Sequence, residues 1–326
     1  MKRWLARLFG TREAGVPVAV PADSAQDRPG AAADAALAQL DLDLAFFHWL
    51  AGPHVTGRPA PDGPVLDELA RLARDPHGAA ALVPRVPAVI PQLLRSLRED
   101  ATGAGALARQ VAQDPVLVAE VIREVNSPYY QPASPIRNLE GAVLLLGQNG
   151  LRMLLARIAF RPLIRMADQG FARHAAPLVW NQSEKCALAS SLMAPGLGAG
   201  VFEAYLAGLM QNLGLVVAFR LAERAVENGK IPGSSYFGRR LFDVSRGLSS
   251  TIAAHWEFPP DVVEGIAGVG QPDASPLART LERGDRIAKL RLLLDAHVVL
   301  EDDALVTEGL DSFERRCLGK LTDLPG

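Results

Sequence analysis

Four arginines make the densest chemistry-bearing pattern in this chain. Arg152, Arg157, Arg161 and Arg165 fall between Glu140 and Asp168 with no acid among them. Arg157, Arg161 and Arg165 recur every four residues, which on a helix places them along one stripe. A guanidinium grips phosphate or carboxylate through two parallel N–H donors, so the stripe could hold an anion or an acidic partner. The same spacing suits a solvated face, or pairing with acids from elsewhere in the fold. Both readings stay open at this point.

Other constellations carry less. The histidines are His48, His54, His77, His174, His255 and His297, and none forms His-x-His, His-Asp or His-Glu-x-x-His. Cys186 and Cys317 lie far apart and make no Cys-x-x-Cys pair, so neither a disulfide framework nor a zinc ribbon is expected. Two lone thiols suit a reducing cytoplasm. No Gly-x-Ser-x-Gly elbow occurs, and the glycines from Gly196 to Gly200 match neither a phosphate-cradling loop nor a dinucleotide fingerprint.

The elements that must position these residues read as helices. Of 326 residues, 49% are hydrophobic and 21% charged, enough to build a sizeable core. The net charge of −2 argues against a dedicated nucleic-acid binder, which needs a strongly basic surface. No period-2 alternation bounded by hairpin turns is found, so the expected class is all-α. From Cys186 to Phe219 the only charge is Glu203, but Pro195-Gly196, Gly198 and Gly200, then Gln211-Asn212 and Gly214, interrupt the run, which therefore reads as buried core rather than a membrane span.

Four parts are expected along the chain. Residues 1–34 form a flexible segment with a short basic amphipathic start at 1–9, suited to weak peripheral membrane contact. Residues 35–81 form a helical extension, 82–294 the main domain, and 295–326 a C-terminal helical segment. Within the main domain, helices are expected at 91–97, 107–113, 116–125, 139–146, 151–166, 177–193, 202–228, 239–256, 260–267 and 276–294, with a turn at 147–150. Extension helices are expected at 35–50 and 65–74.

The main domain resembles the HDOD domain, a bacterial signalling module related to the HD-superfamily metal-dependent phosphohydrolases. The likeness rests on Val83-Pro84-Arg85-Val86-Pro87, on Gln113-Asp114-Pro115 leading into a helix, and on Asn126-Ser127-Pro128-Tyr129-Tyr130. Pro135-Ile136, Ala142-Val143 and Leu145-Leu146-Gly147 continue it. Trp180 to Ser183, Ala207-Gly208-Leu209 and Trp256-Glu257-Phe258-Pro259 carry it through the second half.

The resemblance implies where a metal site would stand. HD-superfamily enzymes hold metal with a His, a later His-Asp pair and a distal Asp. Here those positions read Gln182, then Gln211-Asn212, with Asp285 as the retained distal acid. Neutral amides do not suit a hydrolytic transition-metal site, whose ligands must be anionic or imidazole. The expectation is no metal, no cofactor and no catalytic residue. Gln182, Asn212 and Asp285 should instead form a buried hydrogen-bonded cluster, either as an inert network or as a residual ligand pocket.

The functional expectation is therefore a non-catalytic, cytoplasmic signalling or scaffolding protein that contacts protein partners in a bacterial pathway. The alternative is a receptor for a nucleotide of the cyclic di-nucleotide type, using the arginine stripe or the residual pocket. Carboxylate partners on the arginines would count against that alternative. A metal-dependent phosphohydrolase is the third reading.

Overall fold

Helix is the form taken by nearly every segment of the computed structural model, which describes residues 42–54, 62–75, 78, 104–165, 170–225 and 231–322. The basic start at 1–9, the helix expected at 91–97 and the Val83–Pro87 run lie outside the described residues. Two helices come from the N-terminal extension, α1 (Leu42–Ala51) and α2 (Asp62–Ala73). The main body follows with α3 (Ala104–Val111), α4 (Pro115–Val125), α5 (Leu139–Arg165), α6 (Gly170–Leu197), α7 (Val201–Met210), α8 (Leu213–Ala225), α9 (Ser235–His255), α10 (Pro260–Ala267) and α11 (Pro276–Asp295). Two short helices close the chain, α12 (Ala304–Thr307) and α13 (Ser312–Lys320). Among the described residues no strand forms, and Ile231 alone is in a bridge. The fold is all-α, as expected.

Local chemistry explains several helix starts. At α4 the Asp114 carboxylate accepts from Val116 N and Leu117 N, and Pro115 occupies the first helical position. A proline there forfeits no intrahelical donor. Ser234 caps α9 and Ser275 caps α11 in the same way. Asp311 and Glu314 form a reciprocal capping box at α13.

Helix α6 is the axis of the molecule. It packs most extensively against α11 and α7, and also touches α8, α5 and α13. Trp180, Lys185, Cys186 and Ala187 on it are all 2% exposed or less. Its two internal prolines, Pro177 and Pro195, lie on the exposed face. There water can satisfy the carbonyls that a missing N–H leaves behind. The extension is fastened to this body by α2 against α9, where Thr251 Oγ1 donates to Ala73 O at 2.5 Å.

Most expected helix ends shift by a few residues, and three departures matter for the site. The turn expected at 147–150 is one residue wide: Gly147 takes φ +68° and ψ −177°, and the chain returns to helix at once. That conformation is closed to most L side chains, so the glycine marks the kink by itself. The helix expected at 177–193 runs from Gly170 to Leu197.

The largest difference is at 202–228, where one continuous helix was expected. The chain breaks at Gln211–Asn212 into α7 and α8. Ser249 on α9 explains the break. Its hydroxyl donates to Gln211 O at 2.6 Å and accepts from Gly214 N at 2.8 Å, replacing helical bonds with a contact from another helix. Nothing in the local sequence encodes that. Leu139–Pro162 and Val201–Ala222 have the length and composition of membrane spans, but Gly147 interrupts the first and this turn the second. The second is 89% buried in the fold.

Candidate functional site

The break between α7 and α8 is what delivers the site. Gly208 lets α7 approach α6 closely: a Cβ there would stand 2.5 Å from Ala187 Cα and 2.7 Å from Ala187 N. This contact brings the Gln211–Asn212 turn over Gln182 and Cys186, which are one turn apart on α6. Asp285 arrives from α11, the main partner of α6. Gln182, Gln211, Asn212 and Asp285 are 1%, 2%, 8% and 3% exposed. The four residues singled out from sequence thus converge on one buried point.

Their hydrogen bonds form a chain. Asn212 Nδ2 donates to Gln182 Oε1 and, at 3.1 Å, to Ser183 Oγ. Gln182 Nε2 donates to Asp285 Oδ1. Gln211 Nε2 donates to the same oxygen at 3.2 Å and to Cys186 Sγ at 2.8 Å. Each amide uses its donor side, and Asp285 Oδ1 is the common acceptor. Gln211 Oε1 is left as a buried acceptor with no partner.

A cation closes the network, and sequence reasoning missed it. Lys289 Nζ stands 2.6 Å from Asp285 Oδ2 and 2.6 Å from Asp43 Oδ1. Lys289 is 1% exposed, and its ammonium lies 4.5 Å from the centroid of Phe242 and 5.7 Å from that of Phe46. Arg246 Nη2 approaches Asp43 Oδ2 at 3.8 Å. Arg246 also meets Asp243 Oδ1 at 3.5 Å, so the buried lysine is the cation that both Asp43 and Asp285 hold most closely. Burial lowers the Lys289 pKa, but Asp285 and Asp43 outweigh it and the net direction is up. The ammonium stays charged. The Asp285–Lys289 half was legible as an i, i+4 acid–base pair on a helix. Asp43 was not, being 246 positions away in another part of the chain.

This donor set does not fit the divalent metal that HD-superfamily enzymes use. Both oxygens of Asp285 are engaged, one of them by an ammonium. Among the described residues no three of His, Cys, Asp and Glu cluster. Burial, with Asp285 adding to it, raises the Cys186 thiol well above its usual range, so it is not a thiolate ligand. Burial likewise pushes Cys317 up to about 11. Neither cysteine should react with a disulfide reagent at neutral pH in the native protein, and both should do so after unfolding. Rapid native labelling at Cys186 would mean that the network opens.

The arginine stripe resolves differently. Arg157 Nη1 meets Glu124 Oε2 at 2.8 Å and its Nε donates to Glu184. Arg161 Nη1 meets Glu124 Oε1 at 2.7 Å. Arg152 is buried, away from this pairing. The Arg165 side chain lies outside the described residues. Arg157 also stacks 5.6 Å from the Tyr129 ring centroid, tying the Asn-Ser-Pro-Tyr-Tyr loop to α5. Asn126 closes that loop, donating to Ile122 O and Ile136 O and accepting from Ile136 N, each at 2.8 Å.

With this geometry established, the sequence pattern of the HDOD domain matches residues 83–272, more than half of the chain. The chain belongs to the HDOD family. An HDOD domain protein of unknown function from Geobacter sulfurreducens shares the fold at a TM-score of 0.56, with 22% identity over 78% of this chain and 94% of its own. A Marinobacter aquaeolei VT8 protein provisionally named for signal transduction gives 0.56, with 19% identity over 82% of this chain and 64% of its own. A Shewanella amazonensis SB2B protein provisionally named a metal-dependent phosphohydrolase gives 0.53, with 18% identity over 80% of this chain and 98% of its own. An uncharacterized Treponema pallidum (strain Nichols) protein is 22% identical over 195 residues, 56% of this chain and 37% of its own length. The chain thus spans little more than a third of that relative's length.

Proposed function

We propose that this HDOD protein is a non-catalytic, cytoplasmic signal-transduction scaffold that works through contacts with protein partners. The observation carrying this reading is Lys289, whose ammonium takes the Asp285 carboxylate that a metal would need. Phosphoester hydrolysis in this superfamily depends on an ion that lowers the pKa of bound water. A lysine ammonium supplies charge but has no open position for water. The amides at Gln182, Gln211 and Asn212 support the same reading, because they satisfy one another and the acid.

The receptor reading is weaker on the observation that bears on it. Arg157 and Arg161 spend their charge on Glu124 and Glu184, leaving no guanidinium pair facing a nucleotide. The experiment is elemental analysis of purified protein, with turnover of phosphomonoester and phosphodiester substrates assayed in added manganese, iron and magnesium. The expected result is metal far below one equivalent and no turnover. Near-stoichiometric metal with turnover would overturn the proposal.

A further inference from the structure

A second polar centre lies on the other side of α6. The Tyr129–Tyr130 loop, α5, α6 and α7 enclose a cavity of about 30 Å3 lined by Tyr129, Tyr130, Tyr205, Arg157, Glu184 and Lys185, among others. That volume holds one or two waters, or the head of a small ligand. Lys185 is 2% exposed. Its ammonium donates to Asn181 Oδ1 at 2.8 Å, a neutral acceptor, and no described carboxylate stands within ion-pair distance of it. Two of its three donors are left over.

Charge accounting makes this lysine the exception in its neighbourhood. Glu124 and Glu184 answer Arg157 and Arg161. Asp295, whose charge also acts on Lys185, is held by Arg291 at 2.8 Å. One positive charge, that of Lys185, is left over. Burying an unpaired ammonium is costly, and methionine would fill the same volume without the penalty. The phenols are suited to an anion. Burial pushes Tyr129 up to about 12 and raises Tyr130 and Tyr205 well above the usual phenol range, so all three remain protonated.

We propose that this cavity is a binding site for a small monocarboxylate, whose oxygens accept from the Lys185 ammonium and from the Tyr205 hydroxyl. One uncompensated charge matches a carboxylate better than a phosphate dianion. The site shares no residue with the Gln182–Asp285–Lys289 network, so it stands or falls independently of the scaffold reading.

The test is thermal unfolding of the full chain with sodium acetate as probe, against sodium chloride and sodium phosphate at matched ionic strength. Acetate is expected to raise the unfolding temperature saturably, with chloride and phosphate giving less. Lys185→Met should abolish the acetate response and leave the unliganded protein as stable as the parent or more so. Tyr205→Phe, which keeps the ring, should weaken acetate about tenfold or more, the worth of one hydrogen bond to a charged acceptor. Equal responses to acetate and chloride would overturn the proposal. So would a full acetate response in Lys185→Met, or an undiminished one in Tyr205→Phe should Lys185→Met not fold.

Discussion

Lys289→Met is expected to lower the unfolding free energy by about 3–5 kcal/mol, the usual cost of removing one partner from a buried ion pair. Methionine keeps most of the volume and the contacts with Phe46 and Phe242, so the loss is mainly electrostatic. Asp43 and Asp285 would lose the ammonium that both now meet at 2.6 Å, with the Arg246 guanidinium 3.8 Å from Asp43 Oδ2. Urea unfolding monitored by helical circular dichroism gives the value. Asp43→Asn in the same background should recover part of the loss, because it removes one stranded charge. A loss below about 1 kcal/mol, typical of an exposed pair, would mean that the ammonium is not in this network.

The sign with pH follows from the direction of the Lys289 shift. Its pKa is raised in the folded state, so its stabilisation is complete below the unfolded value of about 10.4. It is lost only as pH rises through the higher folded value. The gap between parent and Lys289→Met should therefore be flat from neutral pH to about 10 and close above that.

The second large effect concerns metal. The triple variant Gln182→His, Gln211→His, Asn212→Asp rebuilds the superfamily ligand types, yet it is expected to stay nearly metal-free. An ion on Asp285 would sit about 4 Å from the Lys289 ammonium. At an effective dielectric of 20, a unit charge pair at that distance costs about 4 kcal/mol, and a divalent ion about twice that. Adding Lys289→Met removes the competitor, and the quadruple variant should bind manganese at least about a hundredfold more tightly than the triple. Elemental analysis and a manganese titration read the difference. Stoichiometric metal in the triple variant alone would show that the lysine is not what closes the site. Turnover need not return with metal, since the residues that orient ligands act separately from the ligands themselves.

Much of the fold was legible because helices carry their own punctuation. Asp114-Pro115 announced α4, and Pro260–Ala267 was bounded correctly by the preceding proline and the following glycine. The kink at Gly147 fell within the expected turn, since glycine is the residue that reaches positive φ without strain. The break at Gln211–Asn212 was only half legible: the polar pair and Gly214 interrupt the apolar run, but a helix over 202–228 was still expected. No proline or helix-stopping pair stands at those two positions, and the bonds that hold the turn come from Ser249, far away in sequence.

The site divides along the same line. The sequence by itself determined that amides stand at Gln182, Gln211 and Asn212 and a carboxylate at Asp285, positions where the resemblance implies metal ligands in HD-superfamily enzymes. Those are matters of residue type and order, and neutral amides are poor ligands for a hydrolytic transition metal. It also placed Lys289 one turn after Asp285. Only the tertiary structure decided that this lysine turns inward and that Asp43 of the N-terminal extension meets it. The tertiary structure likewise decided that Arg157 and Arg161 spend their charge on Glu124 and Glu184, while Lys185 meets no carboxylate among the described residues. Which charges pair depends on distances of a few ångströms between helices that are remote along the chain. One-dimensional spacing reports the near neighbours on a helix face and is silent on the rest.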